Sequence, residues 1–160
     1  MSEQGDNPDL KTNNDDAGPK FAMQRIYVKD SSYESPKSPQ CFRGQWKPKV
    51  NLEINSRHNE IEQELYEVVL HVTVTAKNDQ DEVVYLAEVQ QAGIFMIKGL
   101  AGDTLLQTLG AFCPNVLFPY AREAVDSLVL KGSFPALMLA PVNFDAIYEH
   151  SKKQRKESQH

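Results

Sequence analysis

The chain lacks most of the residue patterns that carry chemistry. Its 160 residues include two cysteines, Cys41 and Cys113, far apart in sequence and in no CxxC. That excludes a disulfide framework and a thiolate metal cage, and suits a reducing compartment. The four histidines, His58, His71, His150 and His160, have no ligand spacing, so no metal is expected. Neither GxxxxGK[ST] nor GxGxxG occurs, so there is no phosphate-cradling loop of either kind and no cofactor is expected. Long apolar runs are missing too. The longest uncharged stretch, Thr104 to Ala121, is broken by Gly110, Pro114, Asn115 and Pro119 and makes a poor membrane span. Cationic excess is absent: 17 Lys+Arg face 22 Asp+Glu, a formal charge of -5. A nucleic-acid partner, which needs a basic face, is not expected. The N-terminus is acidic and Asn-rich, without the basic-then-apolar order of a signal peptide. These absences predict a soluble, acidic, cytoplasmic protein with one folded domain.

What is present is unevenly spread. Residues 1–20 carry five acids and almost no apolar side chain, which predicts a disordered acidic tail. Residues 149–160 carry four basic residues and no apolar one, which predicts a basic C-terminal tail that frays. The folded part is placed at 21–148. Within it, Leu65–Lys77 alternates, with Tyr66, Val68, Leu70, Val72, Val74 and Ala76 on one side and Glu67, His71, Thr73, Thr75 and Lys77 on the other. Period two means a strand with one covered face. Val50–Asn55 repeats this in miniature. Asn78–Asp81 reads as a turn into a further strand, Val83 to about Ile97, and Phe21–Asp30 as a weaker first strand.

The segment Ser31–Pro48, with three prolines and Tyr33, Phe42 and Trp46, is too long for a hairpin and reads as a crossing loop that packs its own aromatics. After Gly102 the period becomes helical. Asp103 or Thr104 is expected to cap a helix that Cys113-Pro114-Asn115 should break or kink. A second helix is expected from about Asn115 to Lys131, with Pro119 tolerable only near its first turn. Gly132 should stop it, Ser133–Val142 is an apolar loop, and Asn143 should cap a last helix. The expected fold class is α+β: a four-stranded antiparallel sheet with a long crossing loop, then helices packed on one face.

Candidate chemistry is thin. Cys113 could be a nucleophile with His71 as base, but its neighbours Phe112 and Pro114 suggest a buried thiol. Glu60, Glu62, Glu64 and Glu67 form a local acid run that reads as a solvated face or a turn. The apolar loop 133–142 is more informative, because loops are normally polar. With Phe42 and Trp46 it is either ordinary core or a groove for extended apolar segments.

Four blocks together resemble one family. They are Gln24-Arg25-Ile26-Tyr27-Val28-Lys29-Asp30, Val89-Gln90-Gln91-Ala92-Gly93-Ile94-Phe95, Cys113-Pro114-Asn115-Val116-Leu117-Phe118-Pro119-Tyr120-Ala121-Arg122-Glu123, and Pro141-Val142-Asn143-Phe144-Asp145-Ala146-Ile147-Tyr148. In order and spacing they resemble the bacterial protein-export chaperone family SecB, from about Phe21 to Tyr148. Ala92 stands where a glycine is common in that family. The resemblance implies a cytoplasmic homotetramer, a dimer of dimers, that holds precursor proteins unfolded without ATP and passes them to the motor ATPase SecA. It implies a SecA-docking surface at Asp30, Glu34, Leu86 and Glu88. It implies a client-binding groove with Phe42, Trp46, Leu52, Leu139, Val142 and Phe144, and a tetramer interface with Ala87, Val89 and Gln91. It implies no catalytic residue and no direct membrane insertion. Two alternatives remain at this level. One is a SecB-like chaperone of a toxin–antitoxin pair. The other is a small-molecule enzyme or carrier, which loss of turnover in Cys113→Ala would favour.

Overall fold

The computed structural model describes residues 18–158. The expected acidic tail therefore lies outside the described residues over 1–17, and at its far end Lys20 already begins a strand. Four antiparallel strands form one sheet: β1 (Lys20–Glu34), β2 (Lys49–Glu62), β3 (Leu65–Lys77) and β4 (Val83–Lys98), in spatial order β1-β4-β3-β2. The helices are α1 (Gly102–Gln107), α2 (Cys113–Lys131) and α3 (Phe144–Glu157). They pack on one side of the sheet, as the alternation requires.

Register explains the core. Leu70 pairs with Gln91, Val72 with Val89, Val74 with Ala87 and Ala76 with Tyr85, so even positions of β3 share a face with odd positions of β4. Those side chains are buried against α2, whose Leu117, Ala121, Val125 and Val129 are fully covered at four-residue spacing. Each leucine or valine among them contributes about 1.5–3 kcal/mol by leaving water. α2 lies over β3 and β4; on the inward face of β2, Ile54 packs against the core while Val50 and Leu52 stay more than one-third exposed.

The strands run longer than their alternation suggests, because ladder pairing continues to Glu34 and Glu62 after the apolar pattern has lapsed. The acid run is divided among the end of β2, a turn at Glu64 and the outer face of β3. The turn at Asn78 is as expected, its side-chain oxygen accepting from the N–H of Gln80 and of Glu82 at 3.0 Å each.

The helices depart from expectation in three ways. Neither Asp103 nor Thr104 caps α1: the cap is Ala101, without a side-chain bond, and Gly102 begins the helix with φ of +59°. Cys113-Pro114-Asn115 does not break the helix. A π-turn over Thr108–Phe112 joins α1 to α2, and this widened turn is where the chain adjusts before Pro114, a ring without an N–H. Gly110 sits in that turn beneath Tyr148, where a Cβ would come 2.6 Å from the Tyr148 ring. Pro119 is inside α2 rather than in its first turn, on an exposed side of the helix.

The loop 133–143 and the cap at Asn143 are as expected, with Asn143 Oδ1 accepting from Ala146 N–H at 3.0 Å. α3, however, continues to Glu157, so most of the expected basic tail is helix. Arg155 and Lys156 in its last turn suit the negative end of the helix dipole.

Candidate functional site

Five aromatic rings from separate parts of the chain meet at one end of the sheet. Trp46 lies 4.7 Å from Phe134 and 6.1 Å from Tyr85, nearly parallel to the latter at 22°. Phe42 is 5.3 Å from Phe134, Tyr85 is 4.9 Å from Phe134, and Tyr33 is 6.0 Å from Tyr85. Tyr85 and Phe134 are buried and form the floor. Phe42 and Trp46 remain 48% and 36% exposed and form a rim. The crossing segment thus packs its aromatics on Phe134 and Tyr85 rather than on each other. Lys37 pairs with Glu82 and so ties this segment to the β3–β4 turn; Lys37 and Asn78 hold the Glu82 carboxyl below its usual range. Gly132 lets the end of α2 lie on Tyr33, since a Cβ there would coincide with the Tyr33 hydroxyl.

The six expected groove residues do not form one lining. Phe42 and Trp46 are in the aromatic cluster. Leu52 is on the open inward face of β2, opposite Val74. Leu139 is half-buried in the loop. Val142 and Phe144 border a separate hollow of about 160 Å³ with Ala111 and Phe112. Phe144 is a correction: it is 4% exposed and meets Phe118 edge-on at 5.7 Å, so it anchors α3 in the core rather than presenting itself to a ligand. Sequence reasoning missed Tyr85 and Phe134 as partners of Trp46, and Tyr33 as a partner of Tyr85. Only the tertiary fold brings them together, although the buried parity of Tyr85 was visible.

The Tyr85 hydroxyl is buried without a hydrogen-bond partner among the described residues. Burial, then the nearby Tyr33 and Asp126, push its pKa up to about 12. A buried unpaired hydroxyl costs stability. Tyr85→Phe is therefore expected to raise unfolding free energy by about 1 kcal/mol, read from the urea midpoint. A loss of stability would contradict the unpaired state.

The opposite sheet face is polar and uneven. Glu34 stands opposite Leu86, Ser32 opposite Glu88, and Asp30 opposite Gln90. All four expected docking residues therefore share the outer face, with Asp30 and Glu34 exposed. Glu53 joins them from β2 through Thr73, which stands opposite Glu88. Its outward parity was legible in the alternation of Val50–Asn55, and a short turn joins β2 to β3 as a hairpin, but the sequence reading did not carry Glu53 over to this face. Lys29, extra in a bulge beside Asp30, turns to Glu67 Oε1 at 2.8 Å, and the Tyr27 hydroxyl donates to Glu67 Oε2. Lys29 and Tyr27 hold the Glu67 carboxyl below its usual range. The carboxylates at the Glu34 end keep their charge unmatched by a lysine of their own strand.

Ala87, Val89 and Gln91 lie on the helix side of β4, each at most 3% exposed within a single protomer. The Gln91 side chain donates to the Tyr27 carbonyl at 3.0 Å.

Cys113 is fully buried, and burial pushes its thiol up to about 12. His71 lies on the other sheet face, so the two form no nucleophile–base pair. Burial thus leaves Cys113 far less thiolate than an ordinary exposed thiol near neutral pH. Native Cys113 is expected to resist iodoacetamide at pH 8 over times that fully modify Cys41, as mass spectrometry of the intact protein and its peptides would show. Equal labelling of both would contradict its burial. Among the described residues no cluster of three His, Cys, Asp or Glu could hold a metal, and no helix is long and apolar enough to cross a membrane.

The profile of the family described as preprotein translocase subunit SecB matches residues 14–155. The chain belongs to the SecB family. It is 58% identical over 145 residues to the protein-export protein SecB of Pseudomonas syringae pv. syringae, covering 91% of this chain and 89% of that protein. With the corresponding Marinobacter nauticus protein it shares 62% identity over 139 residues, covering 87% and 84%. A Mycobacterium tuberculosis SecB-like chaperone, solved with a peptide of the HigA1 antitoxin, shares the fold with a TM-score of 0.64 and 17% identity, over 76% of this chain and 90% of that one. The role that goes with this membership is that of a SecB chaperone in protein export.

Proposed function

We propose that the protein is an ATP-independent cytoplasmic holdase, not an enzyme, that binds unfolded precursor polypeptides and delivers them to SecA as a homotetramer. The observation that carries this reading is apolar side-chain surface left in water at one end of the sheet. Phe42 and Trp46 rim the aromatic floor, and past Lys47, Pro48 and Lys49 the exposed Val50 and Leu52 follow on the inward face of β2. Apolar burial contributes about 25 cal/mol per Å² and is indifferent to sequence, which suits many clients. Folded proteins hide such segments and are not captured.

Assembly is supported by a second apolar face on the helices. Phe112, Tyr120 and Leu130 are 51%, 46% and 57% exposed, with Val116 between them at helical spacing, and Phe21, Met23 and Val28 are exposed on edge strand β1. Patches of this kind mark protein interfaces. A dimer of dimers would cover them. Ala87, Val89 and Gln91 would then act on assembly through the helix packed over them, not by touching the next protomer. Several grooves on one particle gain avidity for one long chain through effective concentration. The unmatched carboxylates around Leu86, with Asp30, Glu34 and Glu88, give SecA a docking face on the other side of the sheet, so client and motor can bind together.

The 58–62% identities are to export proteins, against 17% to the antitoxin-linked chaperone, and favour export over toxin control. The test is aggregation of a urea-unfolded precursor diluted into the protein without nucleotide. Stoichiometric suppression is expected, with none for a precursor already folded. No suppression would overturn the reading.

A further inference from the structure

Helix α3 is anchored mainly at its start. Phe144, in the first turn, is its one buried residue, and Tyr148 lies on Gly110 of the π-turn. Beyond Tyr148, the side-chain hydrogen bonds among the described residues stay within the helix and its cap: Gln154 with His150, and Ser158 with the Arg155 carbonyl. The far half of the helix therefore lies along β2 without a direct polar link to the strand.

A hollow of about 140 Å³ separates the two. Asn55, Ser56 and His58 line it from β2, and Ser151 and Arg155 from α3. Each of these side chains can donate a hydrogen bond, and none of the lining residues is an acid. Arg155 and His58 take part in no ion pair among the described residues. Partial desolvation, and then the charge of Arg155, hold the His58 imidazole below its usual range. An anion between the two would replace that repulsion with attraction to both. A guanidinium can also grip an oxyanion through two parallel N–H bonds, leaving the remaining oxygens to the serine hydroxyls. Both His58 and Arg155 reach solvent, so an ion can enter.

We propose that this hollow binds a phosphate-class oxyanion and that the bound anion ties the far half of α3 to β2. Sites for drug-sized ligands begin at roughly 300 Å³, so the ligand is one small group. It is a free phosphate ion or the phosphoryl group of a small ester. The site shares no lining residue with the aromatic rim or the acidic outer face, and it stands independently of the client reading.

The test follows the histidine imidazole signals of the full-length protein by NMR at constant pH. Inorganic phosphate and glycerol 3-phosphate are the two probes, with sodium chloride at matched ionic strength as the reference. Phosphate is expected to give a saturable shift of His58 and to leave His71, on the outer sheet face, unmoved. Arg155→Gln is expected to weaken binding at least tenfold. Arg155→Lys keeps the charge without the paired donors and is expected to weaken it about threefold. Hydrogen exchange of residues 151–157, read by mass spectrometry, is expected to slow severalfold with phosphate in the parent and not in Arg155→Gln. Equal affinity for both probes would assign the site to the phosphoryl group, and preference for inorganic phosphate would assign it to the free ion; each supports the site. A drift of all histidines with salt alone, or parent-like binding by Arg155→Gln, would overturn it. Binding that leaves exchange unchanged would overturn the tie between α3 and β2. Arg155 is exposed, so its variants are expected to fold, with native mass as the control.

Discussion

Trp46→Ala is expected to weaken capture of an unfolded precursor at least tenfold, while Trp46→Phe keeps most of the affinity. The indole is stacked on Tyr85 and Phe134 on one side and open to solvent on the other. A client side chain that closes the open side removes apolar area on both partners, in the way that aromatic anchors dominate interfaces. Losing about 1.5 kcal/mol of that burial is a tenfold change in Kd. The measurement is fluorescence anisotropy of a labelled precursor, with native mass as control. Equal affinity of Trp46→Ala and parent would remove the aromatic rim from the account. Phe144→Ala makes a poor companion test. Its ring is in the core, so the expected result is a general loss of about 3–5 kcal/mol in stability rather than a selective loss of capture.

Glu88→Lys is expected to abolish measurable SecA binding and leave client capture unchanged. Glu88 sits mid-strand on the outer face, between Ser32 and Thr73, with Leu86 two residues along on the same face and Glu53 beyond Thr73. Placing a cation there converts attraction for a basic partner into repulsion at the centre of the patch. Such effects act on association and fade with salt, so parent affinity should itself fall as ionic strength rises. Calorimetry with purified SecA at two salt concentrations gives the result. Unchanged SecA affinity in the variant would sink the docking face. A parallel loss of precursor capture would show instead that the sheet had been disturbed.

The parts of the fold set by local pattern were legible in the sequence. Even positions of β3 and odd positions of β4 face the helices as their alternation required, and Asn143 caps α3 as its position suggested. Strand parity alone likewise puts Leu86 and Glu88 outward, on the face proposed for SecA. What depends on pairing was not legible. The order β1-β4-β3-β2 brings Tyr33 beside Tyr85, although no local signal links them. The helix around Pro114 was misread because a proline ordinarily breaks a helix, whereas here a π-turn comes just before it. Phe144 was misplaced because residues near a groove in sequence can still point into the core. The basic end of α3 was misread because lysine and arginine look like a tail in composition, yet they are good helix formers and suit a C-terminal turn.

The central claim is that one small domain holds a long unfolded chain by sharing the work among copies. Light scattering on the eluting peak of a sizing column, with and without an unfolded precursor, tests it most directly. The account predicts a particle of about four 18.1 kDa chains that gains the mass of one precursor, and gains nothing from the same precursor once folded. A stable monomer, or a tetramer whose mass does not change, would contradict it.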